Sequence, residues 1–277
     1  MDEVRLVLDA GANEVADQAQ GIAVAPLTIS FSNQSFRDDG NMDMSAFMTA
    51  MKQTTVAGRS SCPSIQDWLD ALAGSKRAVI VAMTSALSGS YSSAYQAKVM
   101  YEEAHPEAKV IVVDSRSAGP EPSIVLHGIQ ALLAAGVNWG VLEAKISEMR
   151  THTHLVFVLQ SLRNLALNGR ISKAVAKVAG ILKINVVGTA NREGKFELLS
   201  KVHGMKRALR ELKQQMLTFG YQGGEVIIDH CHNLRDAELL QGVLTDEFPA
   251  AKVTIRPMRA ICSFYAEEGG LMVGFIE

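Results

Sequence analysis

The densest chemistry in the sequence lies between residues 84 and 93, where six hydroxyl side chains besides Tyr91 fall within ten positions. Ser88-Gly89-Ser90 is its centre. Small hydroxyl residues around a glycine let a ligand approach the backbone closely. A helix start leaves N–H groups unpaired and a partial positive charge, so such a stretch can cradle an anion. The plainer alternative is a serine N-cap on a crossover helix. A second hydroxyl cluster, Ser60-Ser61-Cys62-Pro63-Ser64, stands just before Ile65, Trp68, Leu69 and Leu72 at helix spacing. Ser64 with Asp67 forms a capping-box pattern, with Asp where Glu or Gln is usual. Two hydroxyl-rich helix starts beside a sheet edge could face one another and share one polar site.

Arg170, between Gly169 and Ile171, could bind an anion through both arms of its guanidinium; an ordinary surface arginine is the alternative. His152 with His154, and His230 with His232, share a face if the chain is extended. Each pair could begin a metal site, yet no third ligand stands close in sequence, and structural histidines are the simpler reading. Ser88 lacks the flanking glycines of a hydrolase elbow, and no glycine-rich phosphate motif occurs. Glu267-Glu268 could serve acid–base chemistry, but Gly269-Gly270 beside them favours a solvated turn.

Elements must hold these residues in place. Residues 78–83, Ala-Val-Ile-Val-Ala-Met, have no polar alternation, which predicts a strand buried on both faces. A helix follows the hydroxyl loop, with Ala94, Ala97, Val99 and Met100 among polar residues. Residues 4–8 predict another such strand, ending in the turn Asp9-Ala-Gly-Ala-Asn13. Residues 22–29 predict one strand, 32–43 a polar surface excursion, 44–51 a short helix and 109–113 a strand ending at Asp114-Ser115. Helices are predicted at 124–133 and 139–149. This alternation implies a parallel sheet wound by helices on both sides. Ligands gather at the carboxyl ends of such strands.

In the second half, 155–159 predicts a strand and 173–182 a helix capped by Ser172, with Val175, Val178, Ala179 and Leu182 inward. Residues 184–188 and 196–200 bracket Asn191-Arg-Glu-Gly194 as a hairpin. A long helix shows Met205, Leu209, Leu212 and Met216 on one face. Strands at 225–228, 252–255 and 270–276 surround a helix through Leu239, Leu240, Val243 and Leu244. The predicted fold class is therefore α/β with two α/β domains, residues 1–152 and 153–277. The first is a parallel sheet wound by helices and the second a mixed sheet with helices.

The 277 residues are 48% hydrophobic, with a net charge of -2 and a pI near 6.4, which argues against a nucleic-acid binder. No apolar run approaches the roughly 20 residues of a membrane span, so no stable membrane insertion is expected. The acidic start Met1-Asp2-Glu3 does not read as a signal peptide. Cys62, Cys231 and Cys262 are odd in number and widely spaced, which fits reduced thiols in a cytoplasmic protein.

Taken together, these segments resemble the DegV family, the bacterial fatty-acid-binding subunits of fatty acid kinase, along essentially the whole chain. The family's Thr-Ser-Gln-Pro-Ser is matched by Ser60-Ser61-Cys62-Pro63-Ser64, and its Leu-Ser-Gly-Thr-Tyr by Leu87-Ser88-Gly89-Ser90-Tyr91. Val113-Asp114-Ser115 matches a Val-Asp-Ser after a strand. Its Leu-x-x-Leu-x-x-Gly-Gly-Arg-Ile resembles residues 162–171, with Asn168 for the first glycine. The resemblance implies a lipid tunnel between the domains. Ser60, Ser61 and Ser88 would hold an acyl carboxylate, with backbone help near Gly89 and Ser90. Arg170 would face a kinase partner or the acyl phosphate. The chain would catalyse nothing and need no cofactor; it would present a long-chain fatty acid to the catalytic subunit of a fatty acid kinase.

Three positions depart from the family pattern. Asp9-Ala10 replaces Asp-Ser, and His203 replaces an arginine. Tyr265 stands where a carboxy-terminal His-Thr-Gly-Pro-Gly would place its histidine, with Glu267-Glu268 in place of Gly-Pro. A phenol can still donate to a carboxylate, whereas two acids near an anion site would oppose binding. The departures leave two other readings: a regulatory protein binding a different carboxylate or a lipid phosphate, and a serine-dependent hydrolase using His203 or Tyr265. Burying a palmitate-sized tail would contribute on the order of 10 kcal/mol before ordering costs. The 12 methionines suit an adaptable tunnel wall or plain core filling.

Overall fold

The computed structural model describes residues 4–54, 56–172, 175 and 184–277. The predicted helix over 173–182 lies outside them except at residue 175. In chain order the strands are β1 Val4–Asp9, β2 Ile22–Ala25, β3 Thr28–Phe31, β4 Gln34–Arg37, β5 Arg59–Ser61, β6 Arg77–Ala82 and β7 Lys109–Asp114. Then come β8 Thr153–Leu159, β9 Ile184–Ala190, β10 Phe196–His203, β11 Glu225–His230, β12 Lys252–Pro257 and β13 Leu271–Ile276. The described helices are α1 Met44–Gln53, α2 Ile65–Leu72, α3 Ser90–Ala104, α4 Pro120–Ala134, α5 Trp139–Arg150, α6 Arg163–Leu167, α7 Met205–Thr218, α8 Leu234–Glu247 and α9 Ala260–Ala266.

The first lobe holds a parallel sheet in the order β2-β1-β6-β7. Strand β6 shows why its sequence lacks alternation. Ala78, Ile80 and Ala82 pack toward Trp68, Leu72, Ala94 and Ala97 of α2 and α3. Val79 and Val81 pack toward Val125, Ile129, Leu142 and Ile146 of α4 and α5. Both faces are covered, so every position must be apolar.

The run 22–29 does not form one strand. It divides at Pro26, which has no N–H to give a ladder, and β2 and β3 enter different sheets. Residues 32–43 are more than a surface excursion: β4 pairs with β3, and Asp38 is fully buried. With β5 these strands form a small antiparallel sheet, β4-β3-β5, which carries Phe31 and Phe36 against Phe47 of α1.

A six-stranded mixed sheet, β10-β9-β8-β13-β11-β12, begins at Thr153. One face, with Val156, Val158, Val187 and Val273, packs on α7 and α8. The other, with Leu155, Phe157, Leu159 and Val186, faces the first lobe. The hairpin around residues 191–194 forms as predicted, and β10 continues to His203 past an irregularity between Leu198 and Ser200.

The lobes are clasped by buried polar groups. Arg256 Nε donates to Asp229 Oδ1 at 2.8 Å, its Nη1 pairs with Glu14, and Asn13 Nδ2 donates to Asp229 Oδ2 at 2.7 Å. Gly274 lies against the Pro120–Glu121 backbone, where a Cβ would come within 2.6 Å of Pro120. Among the described residues, no helix is long and apolar enough to cross a membrane.

Candidate functional site

The site begins at Asp9, where β1 ends. Asp9 is 1% exposed. Its Oδ1 accepts from Gly11 N–H at 2.9 Å, and its Oδ2 accepts from Met83 N–H at 2.7 Å and from the Ser90 hydroxyl. Burial pushes its carboxyl pKa up, and these hydrogen bonds oppose the rise. The carboxylate thereby ties the end of β1, the end of β6 and the start of α3.

Between the inner face of the six-stranded sheet and the loops that follow β6 and β7 lies a cavity of about 300 Å³. Much of its wall is apolar, including Leu155, Phe157, Leu159, Phe196, Ile261 and Met272. Ser60, Ser61, Ser88, Gly89, Arg170 and Tyr265 also line it. The two hydroxyl clusters therefore meet. A Cβ on Gly89 would stand 3.1 Å from Cys62 Sγ, so the absence of a side chain there permits the approach.

The capping box of Ser64 with Asp67 opens α2 as predicted, whereas Ser60 and Ser61 end the short strand β5 instead of standing at a helix start. Ser60 Oγ and Tyr265 Oη are 2.7 Å apart in one hydrogen bond, so among the described residues one hydroxyl proton of the pair is left for a ligand. Ser88 Oγ accepts from Ser90 N–H at 3.2 Å, and its own proton meets no acceptor among the described residues.

Ser90 is placed otherwise than the family resemblance implied. It is absent from the cavity wall; its hydroxyl is committed to Asp9 and its N–H to Ser88. Arg170 Nε donates to Leu87 O at 2.9 Å and its Nη1 to Asn168 O at 2.6 Å, so the guanidinium holds the turn before Ser88. Asn168 Nδ2 in turn donates to Gly58 O at 3.1 Å, tying α6 to the strand that carries Ser60.

The hairpin tip closes another part of the wall. Thr84 Oγ1 donates to Gly194 O at 2.9 Å. Gly194 has φ +75°, and a Cβ there would fall 2.1 Å from Thr84 Oγ1.

The two acids that threatened an anion site lie outside the cavity wall. Glu267 accepts from Ser161 Oγ at 2.8 Å and from Asn164 N–H at 3.1 Å, at the start of α6. Glu268 pairs with Lys52 at 2.8 Å in solvent. His203 is exposed at the end of β10, away from the serines. His152 and His154 both approach the Glu277 carboxylate, and His230 Nδ1 accepts from Asn233 N–H. Among the described residues, no cluster of three or more metal-ligating side chains converges.

Sequence reasoning gave Asp9 and Thr84 no role of their own and did not predict α9, which presents Ile261, Cys262 and the already singled-out Tyr265 to the cavity. Asp9 stands at a strand's carboxyl end, a position that signals a site. Helix α9 has six of seven residues buried, so it offers no polar stripe to read.

Comparison with known proteins agrees with this fold. The sequence model of the DegV family matches residues 4–277. A DegV domain-containing protein of Streptococcus pneumoniae is 38% identical over 250 residues, covering 90% of this chain and 89% of the relative. Among solved structures, a DegV family protein of Eubacterium eligens loaded with heptadecanoic acid superimposes with a TM-score of 0.95 at 34% identity, covering 99% of both chains. The Streptococcus pneumoniae fatty acid kinase (Fak) B3 protein loaded with linoleic acid has a TM-score of 0.94 at 35% identity, covering 100% of this chain and 99% of that one.

Proposed function

The chain belongs to the DegV family, and we propose that it is a carrier that holds a long-chain fatty acid in the cavity between its lobes and presents the carboxylate to a fatty acid kinase. One observation carries this reading: an apolar cavity that also holds two available hydroxyl protons, one from the Ser60–Tyr265 pair and one from Ser88. A methylene tail gains about 0.8 kcal/mol per group buried. A carboxylate then needs only a few oriented donors to fix its place.

Tyr265 fills the role that the family resemblance gives to a histidine, because its hydroxyl already reaches Ser60. Arg170 holds the Ser88 turn, and its Nη2, which makes no hydrogen bond among the described residues, is the arm left for a partner or an acyl phosphate. In this reading the chain itself transfers no phosphate and works in the bacterial cytoplasm beside the kinase that does.

The test is reconstitution with a fatty acid kinase catalytic subunit, ATP and oleate. Acyl phosphate should form only when this chain is present, and a Ser88→Ala variant should lower the yield. Formation at equal rate without the chain would exclude the carrier role.

A further inference from the structure

Asp9 is a costly residue in its place. A buried carboxylate without a cation beside it is unfavourable unless donors surround it. Among the described residues, Asp9 takes part in no ion pair, and its three donors come from three different segments. The positive end of α3 offsets part of its charge.

The arrangement continues from Asp9 toward the cavity. Ser90, fully buried, gives its hydroxyl to Asp9 and its N–H to Ser88 Oγ. With a lone pair so occupied, Ser88 retains its proton for a group in the cavity. From the other side Arg170 Nε holds Leu87 O. The turn from Leu87 to Ser90 is thus fixed by an anion at one end and a cation at the other. Three donors on one carboxylate leave no place for an amide, whose NH2 would meet one of them donor to donor.

We propose that Asp9 is a positioning residue of the head-group site: acting through Ser90, it fixes the Ser88-Gly89-Ser90 turn so that the Ser88 hydroxyl donates to an acyl carboxylate. Asp9 itself touches no ligand. The assignment rests on the fatty-acid reading above and names a residue that this reading does not require.

The experiment titrates purified protein with oleate and with oleyl alcohol, which has the same tail and no carboxylate. The variants are Ser90→Ala, Ser90→Thr, Asp9→Asn and the double variant Ser90→Ala with Asp9→Asn. Ser90→Ala should weaken oleate about tenfold and move oleyl alcohol by less than about twofold. Ser90→Thr, which keeps the hydroxyl, should restore oleate affinity. Asp9→Asn should add less than about twofold once Ser90 is alanine, since the two act in series.

Two results would overturn the proposal. Ser90→Ala could leave oleate affinity unchanged, or it could weaken oleate and oleyl alcohol equally, as a collapsed cavity would. Should Asp9→Asn fail to fold, the two Ser90 variants still decide. A wild-type chain that binds neither ligand overturns the lipid reading, and the Asp9 assignment with it, before any variant is compared.

Discussion

Tyr265 and Ser60 stand 205 positions apart in sequence and 2.7 Å apart in space. Their hydrogen bond sets a phenol hydroxyl in the cavity wall, where the resemblance expected an imidazole. Tyr265→Phe keeps the ring and removes the donor. We expect oleate affinity to fall about fivefold to tenfold by calorimetry, in line with one hydrogen bond, with thermal stability of the free protein nearly unchanged. At this scale the serines were legible because hydroxyl density is a local property. Asp9 was not, because its partners Met83 and Ser90 are brought to it only by the parallel pairing of β1 with β6. Nor could sequence place Glu267, whose donors Ser161 and Asn164 are over 100 positions away.

Individual elements carry strains that can be measured. Glu121, in the first turn of α4, is buried and accepts from Thr153 Oγ1 at 2.9 Å. Burial raises its pKa from 4.5 to about 7. The folded state therefore binds a proton that the unfolded chain has lost. The stability this gives is fully present below pH 4.5 and disappears as pH rises through 7, a loss of about 3 kcal/mol at about 1.4 kcal/mol per unit. Urea unfolding from pH 4.5 to 8 should show this slope, and Glu121→Gln should flatten it. Gly194→Ala places a Cβ into Thr84 Oγ1 at a positive φ. It should cost about 2 kcal/mol or more in the same assay. Buried strands such as β6 were legible as unbroken apolar runs. The sheet β4-β3-β5 was not, because its strands are three or four residues long and partly polar.

The whole molecule sets the cavity by clamping two lobes together. Asp229 is 0% exposed and relies on Arg256 and Asn13. Arg256→Ala would leave that carboxylate buried and unpaired, and it should cost about 3–5 kcal/mol of unfolding free energy by denaturant titration. A ligand held between the lobes should raise the melting temperature with its concentration, since it binds only the folded state. The alternation of elements made the first lobe legible from sequence. The cavity was legible only through family resemblance, because its walls come from strands, helices and a hairpin tip scattered from Leu27 to Met272. No periodicity within one segment can announce a space that several segments enclose.

The most direct test of the account is native mass spectrometry of gently purified protein, followed by extraction and identification of what it carries. The account predicts a single adduct of fatty-acid mass, lost or much reduced in Ser88→Ala. A clean mass of the chain alone, with no adduct after incubation with palmitate or oleate, would contradict it.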